Sequence, residues 1–208
     1  MNDVVEESLS ASDKKAFDRN KSLNDERIIW IDVETSGIDP KECKLIQVAA
    51  IVTDGHLNEI SEPFERKIYY SESEVSRIRS EANEFVQNMH DKNGLWNALP
   101  IEGESLEKVD KDLRNFLADY TEPNTARLGG NSITLDRNFL NEFLPNSFAH
   151  IHYRSYDLSS VAGWFELYDP NFVPFVKNSN HEALDDIRAS IAEGLYYASI
   201  INKNMAPF

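Results

Sequence analysis

Apolar positions along the chain recur with two periods, and each period predicts a kind of element. Ile28-Ile29-Trp30-Ile31-Asp32-Val33-Glu34 is a nearly continuous apolar run that reads as a buried β-strand. Leu45 to Thr53 reads as a second strand, Asp54-Gly55 supplies a tight turn, and roughly 57–69 reads as a third. The 3.6-residue period is clearest over 105–120, where Leu106, Val109, Leu113, Phe116, Leu117 and Tyr120 share a helix face. A helix is also predicted over 73–89, with a break at Asn93-Gly94, and a short strand over 127–130. Another helix runs from about 135 to 144 and stops before Pro145; a last strand covers 150–156 and a helix 158–168. The stretch 170–180, with two prolines, is loop. Asn180 caps a final helix with an apolar stripe of Leu184, Ile187, Ile191 and Leu195. Three antiparallel strands followed by alternating helices and strands predict an α/β fold with a mixed sheet.

Two positions in the first strand break its apolar character. Strand side chains alternate between faces, so Asp32 and Glu34 share one face while Ile29, Ile31 and Val33 share the other. Adjacent carboxylates at the end of a core strand repel each other and are costly to desolvate. Divalent cations would compensate, and hard oxygen ligands suit Mg²⁺ or Mn²⁺. Thr35 to Pro40 is loop, which leaves that strand end open to a ligand.

Composition narrows the classes. The 208 residues fit one domain, and 41% hydrophobic content fits a globular protein. Residues 1–26 read as a flexible acidic tail and 27–208 as the domain. The polar start and the lack of a long apolar stretch predict a cytoplasmic protein. Cys43 is the only cysteine, which excludes an intrachain disulfide. A net charge of −15, with only 21 Lys plus Arg, argues against long-duplex binding, which relies on many phosphate contacts. A fragment with few phosphates, held in a small pocket by metals, stays open to such a chain.

Three further titratable positions suit a metal site. Asp136 opens a predicted helix after Gly129-Gly130-Asn131-Ser132, and Asp186 lies in the first turns of the last helix. His181 precedes Asp186 by five residues, roughly 140° apart if both were helical. From the preceding loop its imidazole could lean over a metal held by Asp186 and act as general base on water.

Asp32-Val33-Glu34-Thr35-Ser36-Gly37, Asp136 and His181-Glu182-Ala183-Leu184-Asp185-Asp186 resemble the three motifs of the DEDDh 3′–5′ exonucleases. The chain is most similar to one branch, the oligoribonucleases, over roughly Ile28 to Tyr197. Further matching blocks are Ile51-Val52-Thr53-Asp54, Gly130-Asn131-Ser132-Ile133, His152-Tyr153-Arg154 and Asp185-Asp186-Ile187-Arg188. The resemblance implies an RNase H-like fold, a homodimer, and 3′–5′ degradation of very short RNA to nucleoside 5′-monophosphates. It implies that Asp32, Glu34, Asp136 and Asp186 hold two metal ions, Asp32 bridging both, with His181 as the base and Tyr153 as a lesser catalytic candidate.

The same resemblance implies the substrate contacts. Ile38 stands where the family has a leucine wedge between bases, and Phe85 where it has a stacking tryptophan. His90 matches a pocket histidine. Ser132, Arg154 and Ser159 match groups that cap the 5′ phosphate, the arginine coming from a partner subunit. The alternative is a DEDDh exonuclease acting on longer single-stranded DNA or RNA. A non-enzymatic metal-binding scaffold is disfavoured by the complete set of four carboxylates and a histidine.

Overall fold

In a computed structural model, described for residues 22–177 and 182–204, Ile29, Ile31 and Val33 of strand β1 (Arg27–Thr35) point into the larger of the core clusters. Ile28 and Trp30 on the opposite face enter another, and Asp32 and Glu34 continue that second face, as the alternation predicts. Strand β2 (Leu45–Asp54) pairs antiparallel with β1, placing Ala49 across from Asp32 and Gln47 across from Glu34. The register shifts between Glu34 and Thr35, an irregularity at the acidic end of the strand. Strand β3 (Phe64–Lys67) pairs antiparallel with β2. Strands β4 (Arg127–Gly130) and β5 (Ser155–Asp157) extend the sheet in parallel, giving the order β3-β2-β1-β4-β5. This is the mixed, helix-flanked sheet expected from the sequence.

Helices α1 (Glu72–Glu81), α2 (Glu84–Lys92) and α3 (Leu95–Glu102) follow β3. The single helix expected over 73–89 is two, because the Asn83 side chain accepts the Val86 amide and starts a new helix there. Helix α3 escaped prediction: it is short, contains Pro100, and its Leu95, Trp96 and Leu99 are all buried, which leaves little amphipathic signal. Helix α4 (Leu106–Tyr120) buries Val109, Leu113 and Leu117 against the β1 face that carries Ile29 and Ile31. Helix α5 (Thr134–Phe143) ends before Pro145, which opens the short α6 (Pro145–Phe148) at the position where a missing N–H costs nothing.

The third strand covers four residues instead of thirteen. Asp54 draws in the amides of His56 and Asn58, and Pro63 has no N–H for a ladder, so only the bridge from Thr53 to Glu59 precedes β3. The last strand is likewise shortened, from 150–156 to 155–157. His150 is buried against Thr121, and the His152 amide donates to the Ala126 carbonyl ahead of the regular ladder.

Helices α7 (Leu158–Tyr168) and α8 (Ala183–Asn204) cover the second face of the sheet. The inward side of α8 is Ala183, Ile187, Ser190, Ile191, Gly194 and Tyr197; Leu195, expected in the stripe, is exposed. Gly129 lets β4 pass beside Trp30, since a Cβ there would meet Ile28 at 2.9 Å and the indole at 3.1 Å. Residues 22–25 form a helical turn whose Leu23 carbonyl accepts the Gly55 amide, while Glu26 pairs with Arg127. The expected acidic tail falls mostly on residues 1–21, and Asn180 with its cap on 178–181; both lie outside the described residues. No helix among the described residues is long and apolar enough to cross a membrane.

Candidate metal centre

β1 delivers Asp32 and Glu34 to the end of the sheet, and the first turn of α8 brings Asp186 over them. One carboxylate oxygen from each lies within 4.8 Å of the others. Asp136, in the first turn of α5, is buried beside them, and its Oδ1 accepts the Val33 amide at 3.1 Å. Asp32, Asp136 and Asp186 line a cavity of about 250 Å³ with Trp30, Asn131 and Lys177.

The electrostatics are those of a site short of positive charge. Burial, then the neighbouring Asp136, Glu34 and Asp186, hold the Asp32 carboxyl well above the usual carboxylate range, with Lys177 acting in the opposite sense. Burial and then Asp186 push Glu34 up to about 8. Burial raises Asp136 to about 6 despite the bond from Val33. Among the described residues, no hydrogen-bond donor reaches the carboxyl oxygens of Asp32 or Glu34; His90 Nε2 stands 3.9 Å from Glu34. Three hard oxygen ligands in mutual reach, with a fourth adjacent, are a donor set that a divalent cation fits and a buried water cluster would not neutralise.

The other expected residues divide by place. Ser132 lies at the turn before α5 with φ of +50°, in the left-handed region that costs a non-glycine residue about 1 kcal/mol. Its hydroxyl meets Ser159 at 3.2 Å, and its amide donates to Asp157 at 3.3 Å. Ile38 and Phe85 are exposed, by 82% and 68%, and lie outside the core. His90 is fully buried, edge-on to Trp96, with Nε2 3.1 Å from the Thr35 carbonyl, so it faces the backbone behind Glu34. Tyr153 is exposed, and the Arg154 guanidinium lies over its ring at 5.4 Å, away from the cavity lining. His181 lies outside the described residues.

Lys177, Asn131, Ser190 and Glu193 escaped the sequence reading as site neighbours. Glu193 was findable: it falls seven residues after Asp186, two turns along the same helix face, and a buried acid there needs a donor.

The sheet and its covering helices define the class. Exonuclease I of E. coli, in complex with an oligonucleotide, superimposes with a TM-score of 0.64 at 19% identity, over 86% of this chain and 42% of that one. Exonuclease I of Methylocaldum szegediense gives 0.63 at 18%, over 86% and 41%. The chain thus spans about two fifths of those proteins, and shares with them the RNase H-like exonuclease fold.

The sequence profile of the exonuclease family matches residues 29–193. The oligoribonuclease of Acinetobacter baylyi is 33% identical over 85% of this chain and 94% of its own length, and that of Vibrio cholerae 34% over 88% and 99%. The chain belongs to the oligoribonuclease family of exonucleases, and it is a nuclease, a hydrolase.

Proposed function

We propose that this protein is a 3′–5′ exoribonuclease that degrades RNA of two to a few nucleotides to nucleoside 5′-monophosphates. The observation that carries the chemistry is the triplet of carboxylates within 4.8 Å, Glu34 buried and Asp32 and Asp186 partly so, mutually repelling and with no donor to Asp32 or Glu34 among the described residues. Asp32, Glu34, Asp136 and Asp186 hold two divalent ions, Mg²⁺ or Mn²⁺, in this reading. When bound, the ions supply Lewis-acid stabilisation of the charge that develops on the phosphoryl and leaving oxygens. His181 takes the proton from the attacking water.

The preference for short RNA is supported by the similarity to oligoribonucleases and by the net charge of −15, which disfavours long polyanions. Ile38 and Phe85, both exposed, contact the bases, and His90 supports the Glu34 side of the pocket. The Ser132–Ser159 pair binds the 5′ phosphate, together with Arg154 from the second subunit of a homodimer. Tyr153, which stands beside Arg154 of its own chain, is a secondary catalytic group. The catalytic domain is residues 27–208, and the protein works in the cytoplasm.

A time course on 5′-labelled di- to heptanucleotides and a 20-mer, with Mn²⁺, Mg²⁺ or chelator, tests the reading. Turnover that needs metal and favours the dinucleotide is expected. Preference for the 20-mer would replace the short-RNA assignment with a longer single-stranded substrate.

A further inference from the structure

Behind the carboxylates lies a polar cluster that the chemistry above does not use. The Lys177 ammonium donates to Asn131 Oδ1, to Ser190 Oγ at 3.0 Å and to Glu193 Oε2 at 2.8 Å, so its three protons find three acceptors. Glu193, only 5% exposed, also takes Asn131 Nδ2 at 2.9 Å and the Tyr197 hydroxyl at 2.6 Å. These donors hold its carboxyl below the usual range against its burial. Ser190 Oγ lies 2.9 Å from the Asp186 carbonyl and 2.8 Å from Asn131 Oδ1.

The cluster joins three separate pieces of chain. Asp186, Ser190, Glu193 and Tyr197 occupy one face of α8 at helical spacing. Asn131 sits in the turn that leads into α5, five residues before Asp136. Lys177 belongs to neither element and closes the gap between them. Like charges on β1, α5 and α8 push these elements apart, and a hydrogen-bonded ion pair whose carboxylate is buried and whose ammonium is largely covered can resist that push where a surface pair could not.

We propose that Lys177 is a positioning residue: through Asn131, Ser190 and Glu193 it holds α8 and the turn before α5 at the separation that makes Asp32, Asp136 and Asp186 one divalent-metal site. The proposal rests on the metal reading above and concerns how the site is held, not what it does. It differs in sign from a purely electrostatic role. As a mere cation near Asp32, Lys177 would compete with metal, and its removal would tighten metal binding. As a clamp, its removal loosens the ligand set and weakens binding.

Calorimetric titration of Mn²⁺ into the substrate-free full chain separates these. Lys177→Met is expected to weaken Mn²⁺ binding by about tenfold, the usual cost of losing a partner that orients metal ligands, and to lower kcat while KM stays close to wild type. Ser190→Ala removes one tie without changing charge and is expected to weaken binding in the same direction by a smaller factor. Lys177→Arg, which keeps the charge and several donors, should recover much of the lost affinity. Unchanged or tighter binding in Lys177→Met overturns the clamp. If that variant does not fold, Ser190→Ala decides: weaker binding supports the clamp and wild-type binding overturns it. A wild-type chain that takes up no Mn²⁺ overturns the metal reading itself, whereas wild-type uptake that no variant alters overturns the clamp alone.

Discussion

Two buried acidic regions in this fold have opposite surroundings. Asp110 on α4 is 4% exposed and accepts the amides of Asn146 and Ser147, the Asn146 side chain and the Ser147 hydroxyl, all between 2.7 and 3.0 Å. It caps α6, and every donor it needs is folded into place with it. Glu34 is buried likewise and Asp32 partly so, but they meet other carboxylates instead of donors. A satisfied buried acid is part of the structure; one surrounded by acids is held there by the rest of the fold for a cation that arrives later.

The largest expected effect tests the unsatisfied region. Asp32→Ala or Asp186→Ala should lower turnover by roughly a thousandfold, several kcal/mol of lost metal-assisted stabilisation, while the metal-free protein melts no lower than wild type. Activity within about tenfold of wild type would undo the metal assignment, since each ligand deletion should exceed that. Asp110→Ala should do the reverse. Leaving the Ser147 and Asn146 donors unpaired should cost about 2–4 kcal/mol in urea unfolding, with kcat/KM little changed below the transition. A stable Asp110→Ala variant would erase the contrast.

A smaller effect is expected at the proposed subunit boundary. Arg154→Ala should weaken binding of a 5′-phosphorylated dinucleotide by roughly 1.5–3 kcal/mol, the range for a charge-assisted bond, and hardly change binding of its unphosphorylated form. Mixing Arg154→Ala with Asp32→Ala subunits should recover part of the activity if the arginine acts across a dimer. Equal losses with and without the phosphate would remove Arg154 from the pocket.

The smallest effect is a pH dependence. Glu34 is raised in the folded state to about 8, so the protein binds its proton more tightly than the unfolded chain does. The stability this contributes is full below the unfolded value and is lost as pH rises through about 8. In metal-free protein, the gain in melting temperature from Glu34→Gln should therefore grow between pH 5 and pH 9. A gain that is flat with pH would mean that Glu34 is already paired.

Much of this was legible in the chain because the signals are local. Alternation along β1 put Asp32 and Glu34 on one face, and the periodicity of 105–120 marked α4 within a residue. What escaped depends on partners distant in sequence. Nothing near Lys177 states that Asn131 and Glu193 await it, and nothing in Leu95–Glu102 marks a helix buried by its neighbours. The short β3 and β5 came from side chains that capture backbone amides, Asp54 taking those of His56 and Asn58 and the His152 ring that of Arg154, a competition that apolar patterning does not register.

The bond from the Val33 amide to Asp136 has a spectroscopic consequence. β4 pairs with β1 at Ile28, Ile29 and Trp30, and a few residues further on a side chain from α5 takes the place a strand carbonyl would fill. The amide proton of Val33 is therefore coupled to the charge on Asp136, and its nuclear magnetic resonance frequency reads the filling of the carboxylate cluster from inside the sheet.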